Sequence, residues 1–388
     1  MLKPLKKDYS YYGYDYEITP QRKLHSVQKR KKVKAKKKTH PIAALISLLI
    51  LGAYGYYVCP FVYEKYFRPI VLNPILNRNL KLDISKYTTP TLSYANNSFL
   101  LDRDLLVESN FEENNVVDIK IVSELTETKE KLLELFKKYP NLNPSVYVWE
   151  YSTGSGLEIN SNKVYPSASI IKIPIAFELI RLVDSTSKSK NPIKLENRKM
   201  FTEQFRTLGS GDLQKTKANV LYTLDYLANI MIANSDNSAT NMVLHEIGGV
   251  DGFNRAMRNA GLKVTSMGQW LPDLEGYNKT TAYEVSKILY NIDNPKYINP
   301  KYKNILKEYL GNTRNIHLIK EKLPQDVMVL HKTGDIGTML GDSGIVYTND
   351  GKKYIVSILV ERPHNDYGAK MLIQEASLLI FNDIKTLL

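Results

Sequence analysis

The chain has 388 residues, 43% of them apolar and 24% charged, which is enough to bury a sizeable core and too apolar for wholesale disorder. Its formal charge is +13, but residues 1–40 hold 13 Lys/Arg against 3 Asp/Glu, leaving only +3 on the other 348 residues; an excess confined to one tail argues against a nucleic-acid-binding body. The lone Cys59 excludes a disulfide framework and a cysteine-ligated zinc site, and six scattered histidines form no HExxH-like pair, so neither a metal nor a cofactor is expected.

In chain order, residues 1–40 read as a solvated basic tail. It contains the low-complexity run YSYYGYDY and the block Lys29, Arg30, Lys31, Lys32, Lys34, Lys36, Lys37 and Lys38. Residues 41–63 lack any charge and are strongly apolar from Ile42 to Ala53, the signature of one transmembrane helix, with Tyr54, Tyr56, Tyr57 and Tyr63 suited to the headgroup interface. The basic block before the span places the N-terminus in the cytoplasm and the rest of the chain outside the cell. A cleaved signal peptide is the alternative, since Ala53 and Gly55 offer a small-x-small site, although a front end of 40 residues is long for one. Residues 64–117, with Pro69, Pro74, Pro90 and many Asn, show no sustained period and read as an extracytoplasmic spacer. Stretched out, it reaches about 180 Å at about 3.3 Å per residue.

The body, residues 118–388, shows a mixed pattern. Ser123–Tyr139 is an amphipathic helix stopped by Pro140; Ser145–Tyr151 and Leu157–Ile159 alternate as strands around the Gly154–Gly156 turn. Helix is expected over about 169–184 and within 217–259. Strands return at Val327–His331, Ser343–Thr348 and Lys353–Glu361, the last two joined at Asn349-Asp350-Gly351. An amphipathic helix closes the chain over about 367–386. The fold class is therefore α+β: one antiparallel sheet flanked by helices, with a helical insertion.

Three motifs carry the chemistry. In PSASIIKIPIAF, Ser169 and Lys172 stand at i and i+3 at the head of a helix, so they share a face. A hydroxyl needs a neighbouring base before it becomes a nucleophile, and a desolvated lysine near other cations can serve. The spacing also occurs at Ser26, Ser185 and Ser187, but those lie in polar, flexible stretches. Ser235-Asp236-Asn237 follows the apolar run TLDYLANIMIAN, and Lys332-Thr333-Gly334 closes MVLHKTG, where the bare Gly334 would let a substrate backbone lie against the strand edge. Singly, these read as a capping serine, a helix cap and a strand-to-turn step. In this order they form the signature set of active-site serine penicillin-recognising enzymes.

In these motifs, within PSASIIKIPI, IANSDNSATNMVLHEIGG and HKTGDIGTMLGDSGIVY, and in the Thr280-Thr281-Ala282 step, the chain resembles the class A beta-lactamases over about residues 120–388. The resemblance implies a sheet-and-helix sandwich with an all-helical lobe and the site in the groove between. It implies Ser169 as acylating nucleophile, Lys172 as its proton partner, Ser235 as proton donor to the departing nitrogen, and Asn237 as holder of Lys172 and the substrate. Lys332 and Thr333, beside Gly334, would bind the substrate carboxylate; the backbone N–H groups of Ser169 and Asp335 would form the oxyanion hole. One departure stands out. Where the family carries Glu-x-x-Leu-Asn, this chain has Trp270-Leu271-Pro272-Asp273-Leu274-Glu275, with Leu271 at the Glu position and Glu275 at the Asn position. Glu275 is expected to replace the deacylation base, ahead of Asp273; the alternative is an ordinary surface acid.

The expectation is a membrane-anchored, extracellular, monomeric serine hydrolase opening beta-lactams. Two alternatives use the same residues: a D,D-peptidase acting on D-Ala-D-Ala peptidoglycan stems, and a sensor that captures beta-lactam or peptide. Gly341-Asp342-Ser343-Gly344, which looks like a trypsin-type nucleophile segment, is expected to be a turn into a strand, and His245 and His331 to be packing residues.

Overall fold

The structure is a computed structural model that describes residues 116–294 and 298–387. The expected basic tail, membrane span and most of the spacer lie outside the described residues; among those described, no helix is long and apolar enough to cross a membrane.

A six-stranded sheet forms the frame. Its strands are β1 (Ser123–Glu124), β2 (Asn143–Glu150), β3 (Ser155–Ile159), β8 (Met328–Ile336), β9 (Met339–Tyr347) and β10 (Lys353–Glu361), in spatial order β1-β3-β2-β10-β9-β8. All pairings are antiparallel except the two-residue contact of β1 with β3. The strands alternate between two faces, as a pleat requires. Tyr354, Val356, Ile358 and Val360 turn to a core closed by α1 (Thr126–Lys137) and α8 (Gly368–Lys385). Ile355 and Leu359 turn to the larger core shared with the helical lobe. Thr128 Oγ1 donates to Asp383 Oδ2 at 2.9 Å, tying α1 to α8.

The helical lobe contains α2 (Lys172–Ser185), α3 (Leu224–Ala233), α4 (Asn237–Glu246) and α5 (Gly249–Asn259), followed by α6 (Ala282–Asp293) and α7 (Pro300–Gly311). Side-chain caps set several helix starts: Thr223 accepts from Tyr226 N, Asp236 from Ala239 N and Thr281 from Glu284 N. Two short ribbons complete the body, β4 (Tyr165–Pro166) with β7 (Lys279–Thr280), and β5 (Arg198–Phe201) with β6 (Val220–Thr223).

Three expectations are corrected. The KTG strand does not close at its glycine but runs on to Ile336, because Gly334 and Asp335 stay paired with Gly341 and Leu340. Gly341–Gly344 is not a turn: it lies inside β9, paired with β8 and β10. The body also starts before residue 118. Val116 is buried with its N–H on Ala260 O, and Asn291 brackets Val117 through both its N–H and its carbonyl.

Candidate active site

Ser169 sits in a 3-10 turn, Ala168–Ile171, that feeds directly into α2. Ile170, Ile171 and Ile173 are all fully buried, which fixes the rotation of this start and sends Lys172 inward. The Lys172 ammonium position is sealed from solvent and lies 3.1 Å from Ser169 Oγ, 3.0 Å from Ser235 Oγ, 2.6 Å from Ser235 O and 2.8 Å from Asn237 Oδ1. Ser235 Oγ is 2.9 Å from Ser169 Oγ, closing a triangle of two hydroxyls and an amine. Burial pushes the Lys172 pKa well below the ordinary lysine value, and Lys332 adds to the depression while Asp236 opposes it. A lysine so placed can exist as the free amine, which is the form able to take the Ser169 proton.

Ser235 reaches the triangle from the connection between α3 and α4, in the left-handed region at φ 55°. Such a conformation costs about 1–3 kcal/mol in a non-glycine residue and persists only when its surroundings hold it. They do. Asp236 Oδ2 accepts from Leu213 N at 2.8 Å, Asn237 N donates to Ser210 O at 3.0 Å, and Asn237 Nδ2 donates to Leu208 O at 3.2 Å. Gly211, at φ +98°, lies so close that a Cβ there would fall 2.2 Å from Asp236 Oδ2.

The third wall is β8, the sheet's edge strand. Lys332 is buried, its Nζ donates to Thr333 O at 2.9 Å, and burial lowers its pKa to about 8 against the pull of Asp342. His331 O accepts from Thr313 Oγ1, so the backbone acceptors of His331 and Thr333 both take bonds from side chains and not from β9. Alternation puts the Asp335 N–H on that same outer edge, where an oxyanion donor is needed. The Asp335 carboxylate pairs with Arg362, whose Nε also donates to Gly337 O at 2.9 Å. Gly334 faces the serine turn: a Cβ there would meet Ile170 Cγ1 at 2.9 Å, Ile170 N at 3.1 Å and Ala168 Cβ at 3.2 Å. The bare glycine lets the strand close on the serine turn itself.

The fourth side is the loop of residues 270–278. Leu271 is buried, and Asn241 clamps its backbone, donating to Leu271 O at 2.8 Å and accepting from Leu271 N at 3.1 Å; Thr207 Oγ1 donates to the same carbonyl. Asp273 is committed to the loop, accepting from Gln269 Nε2, Tyr277 N and Asn278 N at 2.7–3.0 Å. Glu275 is exposed. Its neighbour Gly276, at φ +74°, lies against Pro166 and Ile336, the two segments that lead to Ser169 and Asp335. Among the described residues no carboxylate bonds to Ser169, Lys172 or Ser235.

Ser169, Lys172, Ser235 and Asn237 therefore meet directly, while Lys332, Thr333, Gly334 and Asp335 line the facing edge. Asn241, Thr207 and the buried His331–Asp342 pair, with ring Nδ1 2.9 Å from Asp342 Oδ1, are additions. Asn241 was findable, standing one helical turn after Asn237 in SDNSATN. No group of three or more His, Cys, Asp or Glu among the described residues could hold a metal.

Comparison with known proteins finds similarity in both sequence and fold. The model of the "Beta-lactamase enzyme family" matches residues 127–384. A beta-lactamase of Streptomyces albus G is 25% identical over 235 residues, covering 56% of this chain and 73% of that protein. Among solved structures, PBP-A is 28% identical with a TM-score of 0.65, covering 70% of this chain and 100% of that one; a leucine-to-glutamate variant of it, solved as the acyl-enzyme with penicillin G, matches equally. An ancestral class A beta-lactamase, 21% identical with a TM-score of 0.61 over 66% of this chain and 99% of that one, shares the fold.

Proposed function

The chain belongs to the beta-lactamase enzyme family, as a class A-like serine hydrolase, and from that premise we propose that it opens beta-lactams through an acyl-enzyme on Ser169, as a monomer held outside the cell by residues 41–63. The observation that carries the chemistry is the triangle of Ser169, Ser235 and the sealed Lys172.

Lys172 takes the Ser169 proton as Oγ bonds to the lactam carbonyl carbon. The N–H groups of Ser169 and Asp335 receive the charge developing on the carbonyl oxygen. When the C–N bond breaks, Ser235 hands its proton to the nitrogen and is resupplied by Lys172. Lys332 and Thr333 hold the substrate carboxylate, and Asn237 holds Lys172 and the substrate side chain. Water then attacks the ester, with Glu275 as base.

A second reading has the same acylation followed by slow release, as suits a D,D-peptidase on D-Ala-D-Ala ends or a capturing sensor. It is favoured by Leu271, an apolar buried side chain at the position where the family pattern has its glutamate. Mass spectrometry of the full chain in detergent with penicillin G, sampled from seconds to hours, separates the readings. An adduct on Ser169 that decays with ring-opened product supports hydrolysis, and a persistent adduct supports the second reading. Absence of an adduct would refute both. Protease added to intact cells should digest the body if it lies outside.

A further inference from the structure

The charge of the body is unevenly placed. Residues 118–388 hold 34 Lys/Arg against 30 Asp/Glu, and residues 188–226 alone hold 8 against 4, so this one segment carries the whole net excess. Its pairs neutralise one another: Glu203 holds Arg206, Asp212 holds Lys215, and Lys199 reaches Glu246. Lys188, Lys190, Lys194, Arg198 and Lys217 are exposed and form no ion pair among the described residues.

Of these, Arg198 begins the β5–β6 ribbon, Lys194 lies just before β5 and Lys217 just before β6. Met200 and Leu221 face each other across the ribbon and are 48% and 51% exposed, while Val220, paired with the buried Phe201, belongs to the other face. The ribbon is firmly based, since Phe201, Leu195, Leu213 and Leu224 are buried beneath it. Tyr222 and Tyr226 stack at its end, with ring centroids 5.4 Å apart. Apolar side chains held out on a ribbon that carries unpaired cations in and beside its strands suit a surface that is anionic outside and apolar just beneath. A polyanionic chain would use the cations and leave Met200 and Leu221 in water.

We propose that the β5–β6 ribbon docks on a bilayer rich in anionic lipid, with Met200 and Leu221 entering the headgroup layer and the five cations meeting phosphates. The docking rests on this surface and not on the acylation chemistry or on residues 41–63. It has a consequence for the site, because the connection between the two strands carries Thr207 and Ser210, which bond to Ser238 and Asn237. Docking therefore brings the wall of the groove to the lipid surface.

The test uses the full chain with Cys59→Ser and one new cysteine carrying an environment-sensitive fluorophore, at Leu221→Cys or, as the control, at Ile316→Cys, which is also exposed. Both proteins are placed in vesicles of phosphatidylcholine with or without phosphatidylglycerol, each doped with a nitroxide lipid. The 221 probe should shift to the blue and be quenched with phosphatidylglycerol at low salt, and much less in phosphatidylcholine alone, while the 316 probe stays in water. Each cation contributes about fivefold to partitioning, so replacing all five by Ser should cut partitioning by about three-thousandfold while leaving Ser169 acylation intact. A 221 probe that stays in water, equal quenching at 316, or quenching that survives the five-cation variant would overturn the proposal. So would a 221 probe that answers soluble polyphosphate and not the vesicles.

Discussion

Gly334→Ala is the sharpest test of how the two halves of the site are joined. The added methyl would meet Ile170 Cγ1 at 2.9 Å, Ile170 N at 3.1 Å and Ala168 Cβ at 3.2 Å. Ordinary carbon contacts lie at about 3.5–4.0 Å, so β8 and the serine turn must part by roughly 0.6 Å. The Ile170 side chain could rotate, but its backbone nitrogen cannot, and that nitrogen follows Ser169 directly. The separation opens between the two N–H groups assigned to the oxyanion hole. Loss of one such donor costs about 100- to 1,000-fold in rate, and overpacking costs about 1–3 kcal/mol of stability. None of the atoms that the methyl would meet belongs to the Ser169–Lys172–Ser235 triangle, which should survive. Acylation by a fluorescent penicillin, measured as a second-order rate constant, should fall by about 100-fold or more, with Tm lowered by a few degrees. A variant that acylates at the parent rate with an unchanged Tm would show that the strand and the turn are not in tight contact, and the placement of the oxyanion hole would fall with it.

Lys172→Met keeps the bulk in the sealed site and removes the base; acylation should fall by about 100- to 10,000-fold with little loss of Tm, and a variant still acylating at the parent rate would remove Lys172 from the mechanism. Lys332 loses its cation as pH rises through about 8, so the acylation rate of the free enzyme should decline above that pH. Lys332→Arg, which stays charged, should move the decline upward, and an unmoved limb would assign it elsewhere. Glu284 accepts from Lys263 N, Val264 N, Thr265 N and Thr265 Oγ1 at 2.6–3.2 Å. Glu284→Ala should therefore cost about 3 kcal/mol and roughly 6–12 °C of Tm, with Ser169 still acylated in the folded fraction. Glu275→Gln should leave acylation unchanged and slow ester hydrolysis by at least about 100-fold; hydrolysis at the parent rate would exclude Glu275 as the base.

The meeting of Ser169, Lys172 and Ser235 was legible because each rests on a local pattern. Ser169 and Lys172 are three apart in an apolar helix start, and the helix does bring them together. β10 was read at its full length because an Asn-Asp-Gly turn and a long β-branched run frame it. Where reading failed, long-range pairing had overridden a local signal. A glycine normally weakens a strand, so Lys332-Thr333-Gly334 looked like an end; the Gly334–Gly341 pair keeps the strand whole. The same pairing hid Gly341–Gly344 inside β9. The β5–β6 ribbon is two strands of four residues without clean alternation, a pattern weaker than its surroundings. α7 did carry its signals, Asn299 capping Lys301 N and Pro300 in the first turn, and they passed unread. The left-handed Ser235 was invisible in principle, since its conformation is imposed by Gly211, Leu213 and Ser210 from another part of the chain.

These differences fall unequally on the two half-reactions. In the proposed mechanism, acylation depends on Ser169, Ser235 and the buried Lys172, which bond to one another, and on a strand edge packed against the serine turn. Release depends on the loop of residues 270–278, and there the bonding serves the loop's own shape. Asn241 and Thr207 hold the Leu271 backbone, its side chain is buried, and the Asp273 oxygens are taken by Gln269, Tyr277 and Asn278. A water attacking the ester needs a base within hydrogen-bond reach, about 2.6–3.2 Å, and the acid of this loop left free to supply one is the exposed Glu275. An exposed side chain is less pre-organised than a buried one, and pre-organisation is what makes a catalytic group effective. In the proposed mechanism, ester release, and not ester formation, is therefore the step whose rate decides between turnover and capture.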